Sequence, residues 1–158
     1  MQHLATNLSY KWKPFLLDGV HLTFKQHVIS RLEQAKCSHW GSAIYKWEGE
    51  ITQGINGKKT GVLIGETGDL RQRVKQYISG TQPRGNKLWR ESFLTQGDIQ
   101  LYILDIKNLS ISEDNKITTI KSSDALNSNN IRLLLEQLLV SKEVAKGDNR
   151  IWVVNARQ

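Results

Sequence analysis

The sequence predicts a small α/β domain with about three strands and several helices. Three observations carry that reading. Short apolar runs of strand character stand at 42–47, 61–65 and 99–106. Apolar residues recur at helical spacing over 22–36, 70–78 and 130–145. Glycine-bearing turn signals separate these runs. The chain has 158 residues, 39% of them apolar, which suits one domain with one core.

Residues 1–20 mix polar and apolar positions, with Trp12, Pro14, Phe15, Leu16 and Leu17. They read as an irregular arm or short helix laid on the core. Leu22, Phe24, Val28, Ile29 and Leu32 predict a helix after it. Residues 1–40 are therefore an N-terminal helical extension, and 41–158 are the main domain of a single globular unit. Residues 42–47 form the first strand. The loop after it holds Gly49, Gly54 and Gly57, and Asn56-Gly57 is a strong turn signal. The second strand, 61–65, runs into a helix that Thr67 or Asp69 can cap, with Leu70, Val74, Tyr77 and Ile78 on one side. Gly80 stops it. Pro83–Gly85 opens another helix, carrying Leu88, Trp89 and Phe93, which Gly97 ends. The third strand is 99–106. Residues 107–129, rich in Ser and Asn, form an inserted hairpin or loose loop with a turn at 112–116 and a short strand at 117–120. Ile131, Leu134, Leu135, Leu138 and Leu139 mark a late amphipathic helix, and 151–154 a last short strand.

Net charge is +7, from 22 Lys and Arg against 15 Asp and Glu, and the pI is about 9.6. That balance points to an anionic partner, most simply nucleic acid. The central third concentrates it, with Lys58, Lys59, Arg71, Arg73, Lys75, Arg84, Lys87 and Arg90. Trp89 lies among them and offers a stacking ring or a core side chain. Cys37 is the single cysteine, so no internal disulfide forms and a reducing cytoplasm is the expected compartment. Its neighbour His39 completes no metal site, and His21 and His27, six residues apart, do not share a helix face. No apolar run is long enough to span a membrane, and no secretory signal is visible at the N-terminus. Gly57-Lys58-Lys59-Thr60 lacks the earlier glycine of a Walker loop and reads as a hairpin turn.

The chemistry concentrates in two segments. Ala43-Ile44-Tyr45 lies in the first strand. Leu63-Ile64-Gly65 ends the second, and Arg73 and Tyr77 follow on the helix. Arg73 and Tyr77 are four apart and share a helix face. A phenol, a glycine edge and a guanidinium brought together suit work on a phosphodiester, since a guanidinium binds two phosphate oxygens at once. Glu136 stands among leucines on the late helix, where a carboxylate needs a partner such as a cation.

These residues resemble the GIY-YIG nuclease superfamily, whose name describes the two strands. The resemblance covers 42–106 well and 130–158 loosely. It implies a mostly antiparallel central sheet of about three strands flanked by helices. It implies metal-dependent endonuclease activity on DNA, with the catalytic set Tyr45, Gly65, Arg73, Tyr77 and Asn155. In that scheme Tyr45 is a general base or orients the attacking water. Arg73 stabilises charge, and its cation would be needed to bring a phenol near 10 into working range. Tyr77 contacts the phosphate or the water. Glu136 is the protein's ligand to one divalent metal, Mg²⁺ or Mn²⁺, with Glu143 a weaker candidate. Asn155, rather than Asn149, contacts the site. Lys58, Lys59, Lys75, Arg84, Lys87 and Arg90 would bind nucleic acid. Three departures stand out: Ala43 in place of the usual glycine, Leu63 in place of the usual tyrosine, and Glu66 where some relatives carry lysine. Leu63 removes a hydroxyl from the site. It opens an alternative, a catalytically silent nucleic-acid-binding module of the same fold.

Overall fold

The computed structural model of the chain describes residues 1–24, 40–52, 58–79, 99–146 and 150–151. Among them, one large sheet organises everything else. Its strands are β1 (Leu4–Pro14), β4 (Ala43–Thr52), β5 (Lys58–Thr67), β6 (Gln100–Glu113), β7 (Lys116–Thr119) and β8 (Arg150–Ile151). They run in the order β1-β6-β4-β5-β8, with β7 also paired to β6. All pairings are antiparallel except β5 with β8. A two-stranded ribbon, β2 (Leu16–Leu17) and β3 (Val20–His21), stands beside it. Helix α1 (Leu70–Ser79) follows β5, and α2 (Ser122–Asn127) and α3 (Asn129–Ala145) follow β7.

The sheet corrects the expected fold. A small core of about three strands with flanking helices is replaced by a six-stranded sheet that dominates the described chain. Two misread segments account for the difference. Residues 4–14 are a strand and not an irregular or helical arm, so the helical extension does not hold there. Thr6, Leu8, Tyr10 and Trp12 are half-buried in alternation with exposed neighbours, the period of a strand lying on a core. β1 pairs with β6 along its whole length, with a register shift between Ser9 and Tyr10. The third strand also runs on past 106 to Glu113, because β1 and β7 give its polar second half a ladder on each side. The turn and short strand foreseen inside 107–129 are there as Asp114-Asn115 and β7. The helix expected over 22–36 falls mostly outside the described residues, as do the Asn56-Gly57 turn, the helix after Pro83, Cys37 and most of the last strand.

Local chemistry explains the turns. Asp18 and Gly19 both have positive φ, 50° and 79°, as a two-residue hairpin loop between Leu17 and Val20 requires. The ribbon then docks on β6: the Phe15 N–H donates to Leu101 O at 2.9 Å, and the Leu101 N–H to Leu22 O at 3.0 Å. Asp69 caps α1 by accepting the Gln72 N–H at 3.1 Å, while its own N–H donates to Thr67 Oγ1 at 3.0 Å. Ser128 caps α3, accepting from the Ile131 N–H at 3.3 Å.

Alternation along the strands makes two cores. Phe15, Leu22, Tyr45, Trp47, Leu63, Leu70, Val74, Tyr77 and Leu101 pack on the side of α1. Ile44, Val62, Ile64, Leu104, Leu109, Leu135 and Leu139 pack on the side of α3. Neighbours such as Ile44 and Tyr45 therefore face opposite layers. Among the described residues, no helix is long and apolar enough to cross a membrane.

Candidate active site

Tyr45 and Gly65 are directly opposite one another in the β4–β5 ladder. The Tyr45 ring lies across the space a Gly65 side chain would take. A Cβ built on Gly65 would stand 2.5 Å from Tyr45 Cζ and closer still to its hydroxyl. Glycine is thus needed here for room, and its lack of a side chain is what lets the phenol lie flat on the sheet.

Helix α1 supplies the other members. The Tyr45 and Tyr77 hydroxyls are hydrogen-bonded at 3.1 Å, and their rings meet edge to face with centroids 6.0 Å apart. Arg73 Nη1 donates to the Tyr45 hydroxyl at 3.5 Å. Trp47 closes the back of the group, its ring 5.7 Å from that of Tyr77. Tyr45 and Tyr77 are buried, while Arg73 is partly exposed and is the member that solvent reaches.

Glu136 approaches from α3. It is 2% exposed, and its charge raises the pKa of both Tyr45 and Tyr77, so the carboxylate stands within electrostatic reach of the two phenols. Four of the foreseen residues, Tyr45, Gly65, Arg73 and Tyr77, are in direct contact, and Glu136 joins them through its field.

Burial dominates the electrostatics. It pushes the Tyr45 phenol above its ordinary value, although the Arg73 charge and the hydrogen bonds from Tyr77 and Arg73 pull the other way. Tyr77 is pushed well above, by burial first and then by Tyr45. For Arg73, burial opposes the charge, but Tyr45, Tyr77 and Glu66 outweigh it and leave the guanidinium more firmly protonated than usual. The expectation that Arg73 would bring Tyr45 into the range of a base is therefore reversed. Desolvation exceeds the gain from one cation, and both phenols are neutral donors at physiological pH.

The departures have structural explanations. Leu63 is 3% exposed and belongs to the apolar layer around Tyr45 and Trp47. Ala43 is buried in the same layer without strain in its strand. Glu66 is held in a buried ion pair. It accepts from Arg132 Nε at 2.9 Å in an ion pair with both residues under 10% exposed. Arg132 also donates through Nη1 to Leu126 O at 2.6 Å and through Nη2 to Asn129 Oδ1 at 3.4 Å. This network ties the first turn of α3 to the end of β5. Glu136, one turn later on the same buried face, is positioned by it. Sequence reasoning missed Arg132. The signal was an arginine four residues before Glu136 on a leucine-rich face.

The rest of the foreseen set divides. Lys75 lies on α1, partly exposed, near Arg73 in sequence. Lys58 and Lys59 begin β5, but their side chains lie outside the described residues, as do Arg84, Lys87, Arg90 and Asn155. Arg71 stands over the Trp40 ring at 5.6 Å. His21 Nε2–H donates to Leu101 O, 2.8 Å away, which serves the β3 ribbon. Glu143 pairs with Lys146 at 2.9 Å, away from the phenols.

A resident metal is tested by the donor set. Among the described residues no group of three or more His, Cys, Asp or Glu side chains forms a metal cage. A single buried carboxylate whose charge reaches two phenols would suit Mg²⁺, which keeps most of its waters and shares phosphate oxygens with one carboxylate. No protein-family model, curated protein or solved structure matches this chain.

Proposed function

We propose that the chain is a metal-dependent endonuclease that hydrolyses phosphodiester bonds, most simply in DNA, with a GIY-YIG-type centre. The observation that carries the reading is the contact set itself. A guanidinium and two mutually bonded phenols gather around a glycine that makes room for one of the rings, and a buried carboxylate acts on both phenols through its charge. The basic net charge supports an anionic substrate.

Each residue has a chemical part. Arg73, cationic and reachable from solvent, holds two oxygens of the scissile phosphate and neutralises the charge that grows on them. Tyr45 and Tyr77 are neutral, so they donate hydrogen bonds and orient a phosphate oxygen or the attacking water. Glu136 would hold a divalent cation, which when bound supplies Lewis-acid polarisation of a phosphate oxygen. Trp47 and Leu63 keep bulk water from the phenols, which strengthens every interaction in the set.

The test is a nuclease assay on single- and double-stranded DNA and RNA with Mg²⁺, Mn²⁺ or a chelator. Cleavage should require the metal. Arg73→Ala should slow it about 10²-fold or more while leaving binding largely intact. Glu136→Gln should remove metal-dependent cleavage from a folded protein, and Tyr45→Phe should slow it without unfolding. Absence of cleavage of every substrate with both metals would retire the reading. The second reading, a silent nucleic-acid-binding module, draws on Leu63, whose burial leaves the centre one hydroxyl short. Gain of cleavage in Leu63→Tyr would distinguish the two.

A further inference from the structure

A second cluster of charge lies on the opposite face of the sheet. Lys46 follows Tyr45 in β4 and so points to the α3 side. It is 7% exposed, in a position where the neighbouring layer is apolar. Its ammonium stands 4.8 Å from the centre of the Trp12 ring and 5.1 Å from that of Tyr102, and pairs with Glu48 at 3.0 Å. A buried charge is costly even when paired, and an apolar residue would serve stability at least as well. Lys46 is therefore better explained by what it faces.

It faces a cleft of about 620 Å³ between β1, β4 and the last turns of α3. Tyr10 and Trp12 wall one side, and Lys142 and Lys146 the other, with Lys11 along β1. Lys142 Nζ donates to the Tyr10 hydroxyl at 2.6 Å and lies over its ring, 5.1 Å from the centre. Two glutamates also line the cleft, each paired to a lysine there: Glu48 to Lys46 and Glu143 to Lys146. Four lysines against two glutamates leave the cleft cationic. Its volume suits a small organic ligand, and its lining sets ammonium groups over indole and phenol rings. That pairing matches a nucleotide, whose phosphate takes the ammonium groups and whose base takes the rings.

We propose that this cleft seats a nucleotide unit of a nucleic-acid strand as a binding site separate from the Arg73 centre. The phosphate lies against Lys142 and Lys146, and the base against Trp12 and Tyr10. Helix α3 links the two sites. Glu136 and Glu143 are seven residues apart, roughly 10 Å along the helix axis. The proposal rests on the reading that the partner is nucleic acid, but not on cleavage.

The experiment measures fluorescence anisotropy of a labelled twelve-residue oligothymidylate with the full chain, in chelator, across a salt series. Lys142→Glu with Lys146→Glu should weaken binding at least about tenfold and flatten the salt slope by ~1.4, the value for two phosphate contacts on a single strand. Trp12→Ala should weaken binding roughly fivefold or more, and Trp12→Phe should restore most of it. Should Trp12→Ala not fold, Lys142→Gln with Lys146→Gln and the Trp12→Phe arm still decide the matter. An abasic strand should bind more weakly than the thymidylate. Equal binding of the abasic strand, or equal competition by poly-glutamate, would overturn the proposal in favour of a general anion surface or an acidic protein. Binding weakened by the cleft variants with no cleavage under Mg²⁺ or Mn²⁺ supports the cleft and sinks the nuclease reading. Cleavage by wild type with unchanged binding in the cleft variants sinks the cleft alone. A wild-type chain that binds no oligonucleotide sinks both.

Discussion

On the α1 side of the sheet, two phenols and a guanidinium sit in a packed layer with no room for one added carbon at Gly65. On the α3 side, lysines and half-buried aromatic rings line an open cleft. The same strand serves both, through consecutive residues Tyr45 and Lys46. In the packed layer burial decides protonation: it keeps Tyr45 and Tyr77 neutral against the pull of Arg73. In the cleft, a hydrogen bond to Tyr10 raises the Lys142 pKa further. The first arrangement is rigid and desolvated, which suits stabilising charge that exists only during a reaction. The second is solvated and adaptable, which suits holding a strand.

The contrast is most strongly tested where α3 is fixed to the sheet. Glu66→Ala strips the partner from buried Arg132 and should destabilise the protein by about 3–5 kcal/mol in urea unfolding. Replacing both, as Glu66→Leu with Arg132→Met, should recover most of that loss. In any folded Glu66 variant, cleavage should fall further than strand binding, because Glu136 is about one turn from Arg132, whereas Lys142 is nearly three and Lys146 nearly four. Equal losses would mean that the two sites are one.

A smaller effect comes from crowding. Gly65→Ala should cost about 1–3 kcal/mol, since the buried Tyr45 ring has nowhere to retreat. Ser9→Thr, also one carbon larger but exposed at the cleft, should change stability by no more than ~0.5 kcal/mol. Similar costs at both positions would erase the difference between a packed face and an open one.

The smallest effect is that of pH on stability. Both phenols have folded pKa values above the ordinary 10.0, so the folded state holds their protons longer than the unfolded chain does. Their contribution is complete below pH 10.0 and declines as pH rises above it. Tyr45→Phe should make the decline between pH 9 and 11 shallower. Thermal unfolding followed across that range would show it. An unchanged slope would mean that Tyr45 is not desolvated as its burial implies.

Much of the centre was legible in the chain. Tyr45, Gly65, Arg73 and Tyr77 are close in sequence, and strand alternation plus helical spacing bring them together with few assumptions. A cap for α1 at Thr67 or Asp69 and a helix over 130–145 were legible from local chemistry too, while the Ser128 cap was not read. Asp18-Gly19 carried an equally local hairpin signal that composition around it obscured. Only tertiary structure made residues 4–14 a strand, because Leu8, Tyr10 and Trp12 alternate over a surface that β6 and the core supply. The same holds for the Glu66–Arg132 pair, 66 residues apart, and for the cleft, which joins β1 to the end of α3. Burial likewise set the phenols' protonation, and no spacing along the chain encodes it. Short-range geometry is written in periodicity and turn residues. Long-range pairing and desolvation depend on which surfaces meet, and that is decided by the packing of the whole chain.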